Sequence, residues 1–210
     1  MLWHFTYTLI FRGLLSGQNR WQVSQTFSRL KHSMTLLPVI FVIGPSGAGK
    51  SEISEWVAAD LQFLHIDIDR HHGFGASRLR REWHQFSSQL NPKPLVSVLQ
   101  NRIVAAGRSG AVLSFPSTRI LTREQIDVAR SVGIFTALLW GPKELCKKAA
   151  LERSNGPVFN EWRYDKSNKK AFDTYGSSEY DDVRIEAFRP DGRRWSRGDM
   201  VRIIRRLVAR

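Results

Sequence analysis

A parallel α/β fold, with about five strands layered between helices, is the class this sequence predicts, and three observations predict it. Short unbroken apolar runs such as VIFVI (39–43) and IFTALLW (134–140) have the length and β-branched content of strands covered on both faces. Between such runs, apolar residues recur at helical spacing. Strand and helix alternate along the chain, which implies βαβ units with right-handed crossovers and three layers.

The elements follow in order from Val39. After VIFVI comes KSEISEWVAADL, a helix in which Ile53, Trp56, Val57 and Leu61 share one side, and then a second strand near QFLHID (62–67). SRLRREWHQFSSQL is a polar helical region, and PLVSVLQNRIVAAG a helix opened by Pro94 and closed by Gly107. GAVLSF (110–115) is the third strand, TREQIDVARSVG a helix capped by Thr122, and IFTALLW the fourth strand. KELCKKAALER is a helix, VRIEAF (183–188) a fifth strand, and RGDMVRIIRRLVAR the closing helix. Residues 153–182 are polar and show no period. A compact domain seldom leaves so long a stretch idle, so this one reads as a mobile functional lid.

The chain has 210 residues, enough for one domain with a sizeable core. Its 32 Lys and Arg against 19 Asp and Glu give a net charge of +13, a field that draws in anions. The lone Cys146 has no partner for an intramolecular disulfide, which suits a reducing compartment, and it reads as a packing residue in its helix. No run approaches the roughly 20 apolar residues of a membrane span. A soluble cytoplasmic protein without a membrane partner is expected. Residues 1–33 differ in kind: they hold Arg12, Arg20, Arg29 and Lys31 and no acid. They read as a basic extension outside a functional domain at 34–210. A presequence, a stretch preceding Met34, a disordered tail and a loosely docked helix all remain open.

The chemistry is concentrated in GPSGAGKS, directly behind the first strand. It fits G-x-x-x-x-G-K-[ST] in the confirming context, strand before and helix after, and so predicts a P-loop NTPase fold. Gly44, Gly47 and Gly49 free the backbone so that the segment Gly44, Pro45, Ser46, Gly47, Ala48 and Gly49 can turn successive N–H groups inward around an anion, proline itself having none to give. Lys50 supplies a cation for β- and γ-phosphates, and the Ser51 hydroxyl a ligand for Mg²⁺. ATP with Mg²⁺ is the expected ligand. Neither GAVLSFPS nor IFTALLWGP ends in the acid that motor and switch NTPases place there. The nearest carboxylates are Asp67 and Asp69 in HIDID, two apart and on one side while the chain stays extended.

The glycine loop, the D-x-D after the second strand, the missing acid after the third and the length from Met34 together resemble the small P-loop kinases of the shikimate, gluconate and adenylylsulfate kinase group. The resemblance spans residues 36–208 in element order and rests on two short motifs. It implies transfer of a phosphoryl group from ATP to a hydroxyl of a small-molecule acceptor, by a monomer or homodimer. By position it makes Asp67 the residue that orients or deprotonates the hydroxyl, close to the Mg²⁺ that Ser51 and Asp67 would hold, and Asp69 an acceptor ligand. It places Arg78 and Arg81 where such kinases grip an anionic acceptor. It gives the lid arginine to Arg153 ahead of Arg163, and sets adenine against Arg189 and Pro190, whose RPDGRRW segment equally reads as a tight turn. Two departures stand out: SFPST replaces the glycine run of shikimate kinases, and DID the D-G-D of gluconate and adenylylsulfate kinases. Two other functions stay open. Arg202, Arg205, Arg206 and Arg210 on the last helix suit nucleotide or polynucleotide phosphorylation, and the loop alone suits a regulatory ATPase without an acceptor.

Overall fold

In a computed structural model that describes residues 36–68, 76–153 and 160–208, the sheet is built around β1, Val39–Ile43. All five residues of β1 are buried. Val39, Phe41 and Ile43 point into one apolar cluster and Ile40 and Val42 into another, because successive side chains of a strand face opposite ways. A strand apolar on both faces needs a cover on each, and so dictates three layers.

The remaining strands are β2 (Phe63–Asp67), β3 (Gly110–Ser114), β4 (Ile134–Trp140) and β5 (Arg184–Glu186). They stand in the order β2-β3-β1-β4-β5, every pair parallel. This is the three-layer arrangement of a P-loop NTPase. The chain leaves β1 for one flank of the sheet and returns to fill the other, so the carboxyl end of β1 lies where strand order reverses. Open parallel sheets present their ligand crevice at that place.

Helices α1 (Lys50–Leu61), α5 (Lys143–Arg153) and α7 (Arg197–Val208) supply Ile53, Val57, Cys146, Met200, Val201 and Ile204 to the cluster around Ile40. Helices α2 (Ala76–Gln89), α3 (Lys93–Ala105) and α4 (Arg123–Ser131) cover the Phe41 face. Trp83 of α2 meets Phe41 and Phe115 at ring-centroid distances of 5.7 and 4.7 Å, fixing that helix over the end of β3. The expected cap of α4 is present as a reciprocal box: Thr122 accepts from the Gln125 N–H while the Gln125 amide oxygen accepts from the Thr122 N–H.

One expectation is corrected. The stretch 153–182 is not irregular throughout. Arg153 ends α5, and Asn160 caps a helix, α6 (Glu161–Tyr175), by accepting the Arg163 N–H at 2.9 Å. A short 3-10 turn, Ser178–Val183, then leads into β5. The buried positions of α6 are Tyr164, Asn168, Ala171 and Tyr175, spaced three or four apart, but three of the four carry a hydroxyl or amide that a hydropathy pattern does not register. Residues 154–159 lie outside the described residues, as do residues 1–33, Asp69 and Arg210.

Candidate active site

Between β1 and α1 the backbone makes the turn that the glycines foretell. Gly47 and Gly49 adopt φ of 87° and 88°, in the left-handed region that a side chain penalises. A Cβ on Gly47 would lie 1.9 Å from the Cys146 carbonyl oxygen, so the loop packs against α5 too closely for any other residue. Gly49 is the N-cap of α1, which aims the positive end of the helix into the turn. Lys50 folds back over the loop and donates to the Pro45 carbonyl at 2.8 Å.

Across the crevice, β2 delivers Asp67 at its last residue. Asp67 is only 6% exposed, and its carboxylate accepts from the Ser51 hydroxyl at 3.3 Å. Sequence neighbours sixteen apart meet here because β2 ends level with the start of α1. Behind them, Ser114 at the end of β3 hydrogen-bonds His65 at 3.1 Å. Among the described residues, no group of three His, Cys, Asp or Glu side chains stands ready for a metal. Ser51 and Asp67 do converge, and hydroxyl and carboxylate oxygens are the hard donors that magnesium takes.

A cavity of about 280 Å³ opens over the loop. Ser46, Lys50, Ser51, Asp67 and Arg153 line it together, and the segment Ser114–Thr118 after β3 closes its far side. Arg153 reaches it from the carboxyl end of α5. A second cavity of about 370 Å³ adjoins the first at Thr118. Its wall holds Trp83 and Ser87 of α2, Arg119 after β3, Gln125 of α4 and Lys170 of α6. Ile120 completes the lining, and Gln125 is braced by donating to the Ser87 carbonyl at 2.8 Å.

Other expected residues lie elsewhere. Arg78 and Arg81 are exposed on α2, and Arg81 pairs with Glu82 at 3.4 Å; neither lines the two cavities. Arg163 is exposed on α6. Arg189 and Pro190 form an exposed tight turn after β5, closed by the Gly192 N–H on the Arg189 carbonyl at 2.9 Å. Cys146 is fully buried, and burial pushes its thiol up to about 11, so it stays protonated and serves as packing.

Sequence reasoning did not single out several side chains that touch or face this region. Tyr164 and Asn168 of α6 reach the glycine loop, as does Arg194, and Arg119 and Lys170 face the second cavity. The i, i+4 spacing of Tyr164 and Asn168 was the available signal. Three ion pairs draw α6 onto α5: Lys143 lies 3.0 Å from Asp165, and Lys147 2.8 Å from Glu161 and 3.5 Å from Asp165. The Lys143 hydrogen bond holds the Asp165 carboxyl below the usual range.

No protein-family model matches the chain, and no curated protein matches it in sequence. Solved structures do match in shape. A gluconokinase from Sinorhizobium meliloti 1021 aligns with 17% identity over 83% of this chain and 93% of its own, at a TM-score of 0.50. A sugar kinase from Janibacter sp. HTCC2649 aligns with 17% identity over 82% and 94%, also at 0.50. Shikimate kinase from Acinetobacter baumannii, in complex with shikimate, gives 16% identity over 82% and 93% at 0.47. The fold is that of the small P-loop kinases. At these identities the likeness is one of architecture, and the case for activity rests on the site itself. Among the described residues no helix is long and apolar enough to cross a membrane.

Proposed function

We propose that this chain transfers the γ-phosphoryl group of ATP to a hydroxyl of a small anionic acceptor. The observation that carries the reading is the convergence of Lys50, Ser51, Asp67 and Arg153 on one cavity at the carboxyl edge of the sheet. Phosphoryl transfer asks a protein chiefly for position and for charge against the transferring group, and these four side chains supply both.

In this mechanism the amides of the loop and Lys50 hold the triphosphate, and the turn at Arg189 and Pro190 lies against adenine. Ser51 and Asp67 would hold magnesium, which neutralises phosphate charge when bound. The acceptor hydroxyl approaches from the Asp67 side. Its oxygen bonds to the γ-phosphorus, the bond from that phosphorus to the β-γ bridging oxygen breaks, and ADP leaves. Asp67 orients the hydroxyl and takes its proton. Arg153 adds positive charge at the transferring group from the end of α5.

The second cavity is the natural seat for the acceptor, since it opens onto the first at Thr118. Arg119 and Lys170 line it, and among the described residues no carboxylate pairs with either. Two cations without an internal counter-ion favour an acceptor that brings a carboxylate or phosphate of its own. Asp69, Arg78 and Arg81 remain part of the proposal as acceptor ligands.

The test is ATP turnover against a panel of hydroxylated acids and phosphorylated metabolites. Turnover that is negligible alone and rises strongly with one compound, with that compound recovered phosphorylated, supports the reading. ATP hydrolysis that ignores every acceptor overturns it in favour of a regulatory ATPase.

A further inference from the structure

A trans peptide holds its C=O and its N–H in opposite directions, so whatever fixes one fixes the other. The described residues contain no cis peptide, and the first half of the glycine loop is held in this way at three successive peptides by side chains from outside the loop. In the Pro45–Ser46 peptide, the N–H points outward to Asn168 Oδ1 at 2.7 Å and the carbonyl points inward to Lys50 Nζ at 2.8 Å. In the Ser46–Gly47 peptide the sense reverses: the carbonyl points outward and accepts the Tyr164 hydroxyl at 2.9 Å. In the Gly47–Ala48 peptide the carbonyl again points outward, accepting Arg194 Nη2 at 2.7 Å, and the Ala48 N–H turns inward to meet the Pro45 oxygen at 3.4 Å.

We infer that Tyr164 and Arg194 are positioning residues for the phosphate donors: by pulling the Ser46 and Gly47 carbonyls outward, they turn the Gly47 and Ala48 amides toward a triphosphate. The need for them follows from the glycines. Gly47 has φ of 87° and no side chain, so nothing in the residue itself fixes the orientation of the peptides that flank it. A loop free to flip would present carbonyl oxygens to the phosphate in part of its population, and binding would weaken by that fraction.

The holders are themselves fixed. Asn168 is 1% exposed and donates to the Tyr164 carbonyl at 2.9 Å, which locks the two α6 residues to each other. Burial raises the Tyr164 phenol above its usual value, so it remains a donor at neutral pH. Arg194 also pairs with Glu52 at 3.2 Å and lies over the Phe188 ring at 5.5 Å. Tyr164 and Arg194 thus tie the loop to α6 on one side and to the segment after β5 on the other.

The inference rests on the proposed nucleotide site, and the experiment separates the two. Binding of a fluorescent N-methylanthraniloyl ATP with magnesium is titrated for the full chain and for Tyr164→Phe and Arg194→Gln, alongside thermal unfolding of each. Each variant is expected to bind about tenfold more weakly, the size of one lost hydrogen bond to a well-placed group. Adenosine affinity should stay as in the parent, and Arg194→Lys should regain part of the loss. A variant with lowered melting temperature but parental nucleotide affinity would show a merely structural role and overturn the inference. Should Arg194→Gln not fold, Tyr164→Phe, which deletes one oxygen, decides alone. A folded parent chain that binds no nucleotide would remove the site and this inference together.

Discussion

The glycine loop and the wall facing it across the crevice are made by different means. The loop is eight consecutive residues, Gly44 to Ser51, whose turn needs the freedom of its own glycines and is held from outside by Asn168, Tyr164 and Arg194. The facing wall gathers Trp83, Ser87, Arg119, Gln125 and Lys170 from four parts of the chain. A local motif keeps its residues adjacent and needs only a few outside side chains to hold its shape, whereas an assembled wall changes with every element that contributes to it. The difference explains why the phosphate side of such a site is general and the acceptor side particular.

The largest effect that could break this division is at Asp67, which stands between the two sides. Asp67→Asn should lower transfer by about 10²- to 10⁴-fold, the usual worth of a positioned proton acceptor. ATP affinity should hold within about threefold of the parent, since the loop amides and Lys50 carry the triphosphate and Asn keeps the shape of Asp67. Steady-state rates with calorimetry check both, and parental turnover would take Asp67 out of the chemistry.

A smaller effect sharpens the acceptor side. Arg119→Ala and Lys170→Ala should each raise the acceptor KM by about tenfold, as expected for a lost charge-assisted hydrogen bond, with ATP affinity unmoved. Arg78→Ala and Arg81→Ala should change it less, because both side chains are exposed away from the two cavities. Equal effects of all four would extend the acceptor site along α2 to Arg78 and Arg81.

Stability separates the scaffold from both sides. The buried Tyr175 hydroxyl accepts the Leu121 N–H at 2.9 Å, so Tyr175→Phe leaves that donor unsatisfied and should cost about 1–3 kcal/mol. Nucleotide affinity should not follow. A parallel fall in both would mean that α6 serves the loop through its overall packing and not through Tyr164 alone.

The smallest expected effect is electrostatic. Asp182 is held at about 2, first by its hydrogen bond from Arg123 and then by Arg130, which also hydrogen-bonds it at 2.7 Å. Its folded value lies below its unfolded value of about 3.9, so its contribution is complete above pH 4 and is lost as pH falls toward 2. Asp182→Asn should therefore lower the melting temperature slightly at pH 7 and not at pH 2. The effect is small because the side chain is 45% exposed and salt screens it.

Much of this organisation was legible in the sequence, for reasons that differ along the chain. The strands around VIFVI and IFTALLW were visible because a strand apolar on both faces leaves an unbroken run. The bounds of α1 and α5 match the expected segments because glycine or proline marks their starts. Helix α6 was hidden because its inner stripe combines Tyr164, Asn168 and Tyr175, polar groups that each find a partner distant in sequence. For the same reason Arg194 looked like one more surface arginine, although its target, the Gly47 carbonyl, lies 147 residues away. Contacts of that kind become visible only when the strand order is known.

Titration of magnesium ATP into the parent chain and into Lys50→Ala, followed by calorimetry, bears most directly on the whole account. It predicts saturable heat for the parent and a loss of affinity of about tenfold or more for the variant, since Lys50 is the mobile cation of the loop. Saturable heat of the same affinity in both, or none in a folded parent, would contradict it.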